Sequence, residues 1–171
     1  MELKPLIRDI SDFPQPGILF RDITPLLHEP AAFRHVIDHF ADHYRDAGLD
    51  AIVAIESRGF IFGAPLAATL GLPFVPVRKP GKLPAAHMSV EYSLEYGTSQ
   101  LDIHEDALHR DAQVLIIDDL LATGGTAMAT AKLVELLGAR VHSIAFLIEL
   151  KFLNGRAALR DYEVLSLVTY D

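Results

Sequence analysis

Four apolar residues, two adjacent acids and a glycine pair follow one another in VLIIDDLLATGG, Val114 to Gly125. An apolar run this short, bounded by turn-forming residues, reads as a strand buried on both faces. Such strands belong to parallel sheets covered by helices, which narrows the fold to the α/β class. The rest of the chain keeps that rhythm. AIVAI (Ala51 to Ile55), PFVPV (Pro73 to Val77), Val141 to Ile148 and Val164 to Val168 read as further strands. Ahead of them, Phe33, Val36, Ile37, Phe40 and Tyr44 recur at helical spacing, with Pro30 near the start and Gly48 at the end. Gly59 to Leu70 reads as a second helix, and a third after Gly125 places Ala129, Leu133, Leu136 and Leu137 on one face. A short helix is expected between the last two strands. Val90 to His104 partly alternates around a turn at Gly97 and breaks the rhythm, so paired strands forming a small hood or flap are expected there. With no repeat and no linker, residues 1–171 read as one domain: a mainly parallel twisted sheet flanked by helices.

Composition excludes several classes of function. Only 22% of residues are charged and 50% are hydrophobic, as in a globular protein. The N-terminal MELKPLIRDI lacks the apolar core of a signal peptide, and Gly59 to Leu72 is too short and too broken to span a bilayer. The absence of Cys leaves no disulfide and no thiolate metal site. A cytoplasmic protein without a membrane partner is therefore expected. The net charge of −8 argues against wrapping nucleic acid. A small anionic ligand needs only a local basic patch, and RKPGK, Arg78 to Lys82, supplies one.

In an open parallel sheet, ligands bind beyond the carboxyl ends of the strands. DDLLATGGT sits at such an end and opens a helix. Gly124 and Gly125 let backbone N–H groups converge on an anion, and the helix start adds partial positive charge. Thr123 and Thr126 can donate hydroxyl hydrogen bonds, so the segment is expected to hold one terminal phosphate. No Lys follows the second Gly, so it is not a P-loop; no G-x-G-x-x-G occurs, so it is not a dinucleotide fingerprint. Carboxylates repel phosphate but accept hydrogen bonds well from a vicinal diol. A sugar carrying neighbouring hydroxyls and a phosphate would use both halves of the segment. Asp118 and Asp119 point to opposite faces of their strand, so separate roles are expected: one on the hydroxyls, the other ordering backbone or a metal-bound water. His35, His39 and His43, flanked by Asp38 and Asp42, share a helix face opposite the apolar stripe, and solvation explains them without a zinc site.

Apolar residues, two acids and LLATGGT together resemble the ribose-phosphate signature of the type I phosphoribosyltransferases. The resemblance runs nearly end to end, through FPQPGILFRDITPLL (Phe13 to Leu27), ESRGFIFG (Glu56 to Gly63), RKPGKLP (Arg78 to Pro84) and YSLEYG (Tyr92 to Gly97). Those four segments point to the adenine-using branch. The resemblance implies transfer of 5-phosphoribosyl from phosphoribosyl pyrophosphate to adenine, giving AMP and pyrophosphate, with Mg2+ reaching the site through the substrate. It places the 5-phosphate and ribose on Asp118, Asp119, Ala122, Thr123, Gly124, Gly125 and Thr126. It places pyrophosphate on Arg58, Arg78, Lys79 and Lys82, with RKPGKLP as a loop that closes over it. It also implies a cis peptide at Glu56–Ser57, where the family more often carries Asp in place of Glu56. Glu95 matches a catalytic carboxylate near the base. Such a group could accept or orient the N9 proton and stabilise an oxocarbenium-like transition state. Leu19, Phe20 and Arg21 would frame adenine, and Leu150 would pack on its far side. The family also implies a homodimer.

Two alternatives stay open. The same chemistry on a 6-oxopurine (hypoxanthine, guanine or xanthine) would need a different base pocket. A non-catalytic regulator sensing phosphoribosyl pyrophosphate would need an added DNA-binding domain or a basic face, and neither is visible in the sequence.

Overall fold

A computed structural model describes residues 1–93 and 97–171. Its contacts group into two compact units, Met1–Asp42 and His43–Asp171. The first unit carries an antiparallel pair, β1 (Arg8–Ser11) and β2 (Leu19–Asp22), with Arg8 opposite Asp22 and Ser11 opposite Leu19. A short helix α1 (Thr24–His28) and the long helix α2 (Pro30–Tyr44) follow. The Asp22 carboxylate accepts the Thr24 hydroxyl at 2.5 Å and the Thr24 N–H at 2.9 Å, starting α1, and also the Arg8 guanidinium at 2.6 Å. The Thr24 bonds, then Arg8, hold its pKa down to about 2 against the effect of burial. Val36, Ile37, Phe40 and Tyr44 are buried as their spacing requires, while His39 and His43 are exposed.

The second unit contains β3 (Ala51–Ile55), α3 (Arg58–Leu70), β4 (Phe74–Val77), the pair β5 (His87–Ser93) and β6 (Thr98–His104), β7 (Gln113–Leu121), α4 (Gly125–Leu136), β8 (Arg140–Leu150) and β9 (Val164–Tyr170). Five strands form one parallel sheet in the order β4-β3-β7-β8-β9. Its central strands are buried on both faces, which is why they read as unbroken apolar runs. Helix α3 lies so near the sheet that a Cβ on Gly63 would stand 2.5 Å from the Ala54 Cβ.

Three features depart from the sequence reading. The third buried strand does not stop at Ile117. It continues to Leu121 because β8 goes on pairing with it (Asp118 with Phe146, Leu121 with Glu149), whereas pairing with β3 ends at Ile117. The short helix before β9 is realised as two 3-10 turns, Lys151–Leu153 and Gly155–Ala157. Leu136 does not belong to the buried face of α4: it is 55% exposed, while Ala127, Ala131 and Val134 join Ala129 and Leu133 inside. The reason is that α4 lies against β7, β8 and the paired strand β5 together, so its buried face is broad and turned away from Leu136.

The β5–β6 pair forms a separate antiparallel sheet, the hood expected from its alternation. It is tied to the end of β4 by reciprocal backbone bonds, Arg78 N–H to Asp102 O at 2.9 Å and Asp102 N–H to Arg78 O at 2.8 Å. The chain leaves β3 for β4 on one side and returns as β7 on the other. The carboxyl ends of β3 and β7 therefore diverge at a topological switch point, where this architecture opens a crevice. No helix among the described residues is long and apolar enough to cross a membrane.

Candidate functional site

After Leu121 the chain turns through Ala122 and Thr123 into Gly124, which caps α4 in the left-handed conformation with φ 87°. The first helical bond is donated by Met128 N–H to Gly124 O at 2.9 Å. The N–H groups before Met128 thus sit in the helix's first turn, where they have no carbonyl of their own helix to bond. A Cβ on Gly124 would lie 2.6 Å from Gly155 O, so the cap demands glycine both for its torsion and for its room. The turn borders a cavity of about 210 Å³ lined by Ala122, Thr123, Gly124, Gly125, Thr126, Asp118, Asp119 and Arg58. An adjoining cavity of about 240 Å³ is lined by Asp118, Asp119, Arg58 and Thr126 again, with Glu56, Ser57, Lys79 and Tyr92.

The two acids occupy the wall between these cavities. Asp119 is 5% exposed, and its Oδ2 accepts a bond of 2.5 Å from Arg58 Nε. Asp118 Oδ1 accepts the N–H of Asp119 at 2.8 Å. A Cβ on Gly59 would come within 3.0 Å of that same oxygen and 2.9 Å of Ile117 O, so the start of α3 is pressed onto the end of β7. Burial, then the neighbouring Asp119 charge, push the Asp118 carboxyl well above its usual range. One acid thus faces a cation while the other orders backbone and tends to keep its proton.

The third wall is built around Glu56. The Glu56–Ser57 peptide is cis. The Glu56 carboxylate accepts the Lys79 N–H at 2.8 Å and the Arg78 guanidinium at 3.2 and 3.3 Å. Burial would raise its pKa, but the Lys79 N–H and the Arg78 cation outweigh that and hold it below the usual value. Arg78 also donates to Lys82 O at 3.3 Å, so its guanidinium organises the root of the basic loop.

Of the cations expected to meet pyrophosphate, Arg58 and Lys79 line the cavities, and neither Arg78 nor Lys82 does. Leu150 ends β8 and is 8% exposed. Leu19, Phe20 and Arg21 lie on β2 in the first unit, where Phe20 meets Phe13 edge-on at 5.1 Å and Arg21 pairs with Asp9. Glu95 falls outside the described residues. Glu56 and Tyr92, quoted in the sequence within ESRGFIFG and YSLEYG but given no ligand role there, also line the second cavity. Glu56 looks like a strand-end acid until its partners are seen. Tyr92 opens the YSLEYG segment, and its hydroxyl lies 3.5 Å from Thr126 Oγ1. Among the described residues no group of three or more His, Cys, Asp or Glu could hold a metal ion.

An anion cradle, two acids and a cationic wall at one switch-point crevice are the parts that handling of a sugar phosphate requires. Residues 22–166 match the phosphoribosyl transferase domain, and the chain belongs to that family. The adenine phosphoribosyltransferase of Acaryochloris marina is 59% identical over 99% of this chain and 100% of its own. That of Thermotoga neapolitana is 57% identical over 99% and 100%. Among solved structures, the adenine phosphoribosyltransferase of Thermoanaerobacter pseudethanolicus superposes with a TM-score of 0.95 at 55% identity, covering 98% of each chain. The Saccharomyces cerevisiae protein, crystallised with adenine and an imino-altritol bisphosphate, gives 0.91 at 41% identity, covering 96% of each. Within the wider family, then, the chain is one of the adenine phosphoribosyltransferases, and its sheet and hood are those of the type I fold.

Proposed function

We infer that this chain transfers the 5-phosphoribosyl group of phosphoribosyl pyrophosphate to adenine, giving AMP and pyrophosphate in purine salvage. It is an enzyme of the pentosyltransferase type. The observation that carries the reading is the meeting, at one crevice, of the glycine-capped start of α4, the Asp118–Asp119 pair and the cations Arg58 and Lys79. The loop Ala122–Thr126 takes the 5-phosphate through backbone N–H groups and the Thr123 and Thr126 hydroxyls. Asp118 and Asp119 take the ribose hydroxyls. Arg58 and Lys79 take pyrophosphate, Arg58 exchanging its bond to Asp119 for phosphate oxygens. Arg78 anchors the basic loop, and Lys82 reaches pyrophosphate when that loop closes.

In the reaction the C1–oxygen bond to pyrophosphate breaks, C1 gains cation character, and N9 of adenine bonds to C1 while losing its proton. Glu95 is the group proposed to orient or accept that proton. Leu19, Phe20, Arg21 and Leu150 are proposed to frame the base. Mg2+ would enter with phosphoribosyl pyrophosphate, held by substrate oxygens and water rather than directly by protein ligands, as the ion's reluctance to dehydrate allows. Asp118 and Asp119 are the residues that would face it. When bound, the ion would neutralise pyrophosphate charge. Residues 1–171 are read as a single catalytic domain, and a homodimer in the cytoplasm is proposed from the family resemblance alone.

Pyrophosphate release measured with adenine, hypoxanthine and guanine, each with and without Mg2+, tests this reading. Release with adenine far above the others, and dependent on Mg2+, is expected. Preference for hypoxanthine or guanine would move the chemistry to a 6-oxopurine. No release with any base would favour a ligand sensor.

A further inference from the structure

The segment joining β8 to β9 touches the phosphate loop more closely than any side chain would permit. A Cβ on Gly155 would lie 2.3 Å from Ala122 O and 2.8 Å from Leu121 Cδ1. In return, a Cβ on Gly124 would lie 2.6 Å from Gly155 O. Gly155 is not among the residues of positive φ, so its backbone conformation suits any amino acid. Close approach alone requires glycine there.

An ion pair with a buried carboxylate and a half-exposed guanidinium holds that approach. Glu149, 4% exposed, stands in register with Leu121 in the sheet. Its carboxylate accepts Arg156 Nε at 2.7 Å and Nη2 at 2.8 Å, a two-point fork, while Nη1 donates to Val164 O at 3.0 Å. The chain therefore closes a short circuit: from Leu121 across the sheet to Glu149, through the fork to Arg156, and by one peptide to Gly155 against Ala122 and Gly124.

We infer that Gly155, locked by the Glu149–Arg156 fork, is a positioning residue that holds the backbone of Ala122–Gly124 in its anion-binding shape. This rests on the reading that Ala122–Thr126 binds the 5-phosphate. Backbone donors act on an anion only if preset, and displacing them by a few tenths of an ångström lengthens several bonds at once.

The test uses the full chain and four variants: Gly155→Ala, Arg156→Leu, Arg156→Lys, and Thr126→Ala as a direct probe of the loop. Ribose 5-phosphate affinity is measured by calorimetry, with KM for phosphoribosyl pyrophosphate and for adenine, kcat, and thermal midpoint. Gly155→Ala and Arg156→Leu are expected to weaken ribose 5-phosphate binding and raise KM for phosphoribosyl pyrophosphate by roughly 10- to 100-fold, the scale of sub-ångström to ångström misplacement. KM for adenine stays as in the parent, and Arg156→Lys recovers part of the loss. If Gly155→Ala fails to fold, Arg156→Leu decides. Loss with Thr126→Ala but not with Gly155→Ala or Arg156→Leu overturns the positioning role and leaves the phosphate loop standing. Equal rises in both KM values also overturn it, as a general loss of structure. Unchanged affinity in every variant removes the phosphate loop itself, and this inference with it.

Discussion

Arg58→Met separates what Arg58 does for the empty protein from what it does for the ligand. In the structure its Nε sits 2.5 Å from the Oδ2 of Asp119, whose side chain is 7% exposed, while its own side chain is 44% exposed. Removing one partner of a fully buried pair costs about 3–5 kcal/mol, because a charge is left stranded. Here water reaches the guanidinium side and screens the interaction, so the cost reduces to about 1–2 kcal/mol. For a chain of this length that lowers the thermal midpoint by about 2–8 °C. Asp119→Asn should relieve most of that loss in the double variant, giving a coupling of about 1 kcal/mol in a double-mutant cycle. Binding responds separately. A hydrogen bond to a charged group contributes about 1.5–3 kcal/mol, so pyrophosphate affinity by calorimetry should fall about 10- to 150-fold. A zero coupling would show the ion pair to be idle in the free protein. Unchanged pyrophosphate affinity would remove Arg58 from the site.

Three further outcomes are expected. Gly63→Ala forces a Cβ to within 2.5 Å of the Ala54 Cβ. Such overpacking costs about 1–3 kcal/mol and should lower the thermal midpoint by about 2–12 °C with KM unchanged. Asp118→Asn bears on the raised carboxyl. A group whose folded pKa lies above its unfolded value stabilises most below the unfolded value and loses that contribution as pH rises. The stability of the Asn variant relative to the parent should therefore increase as pH climbs above 3.8, and a flat or falling difference in calorimetric scans would contradict the assignment. Glu95→Leu should cut kcat by about 10²–10⁴, the range of general acid–base catalysis, with little change in affinity for phosphoribosyl pyrophosphate; full turnover would remove Glu95 from the mechanism.

The parts of the fold that were legible in the chain are those set by local pattern. The apolar runs at Ala51–Ile55 and Val114–Ile117, the period of Phe33 to Tyr44 and the Gly124–Gly125 turn each declare themselves within a few residues. What stayed hidden depends on partners far away in sequence. Strand β7 runs on to Leu121 because β8 keeps pairing with it, which no local rule contains. The partner of the Arg78 guanidinium, Glu56, lies 22 positions earlier and is not legible from the basic segment itself. Leu136 fits the helical period but faces water, because the hood covers a different side of α4 than a simple stripe implies. Gly155 looks like a turn residue after Asn154; only its distance to Ala122 O reveals a steric demand.

Whether the start of α4 cradles the 5-phosphate is answered most directly by a crystal of this protein grown with AMP. The expected density places the phosphate over the backbone N–H groups of Thr123 to Thr126, with the ribose hydroxyls against Asp118 and Asp119. Phosphate density lodged elsewhere, with that loop carrying nothing, would contradict it.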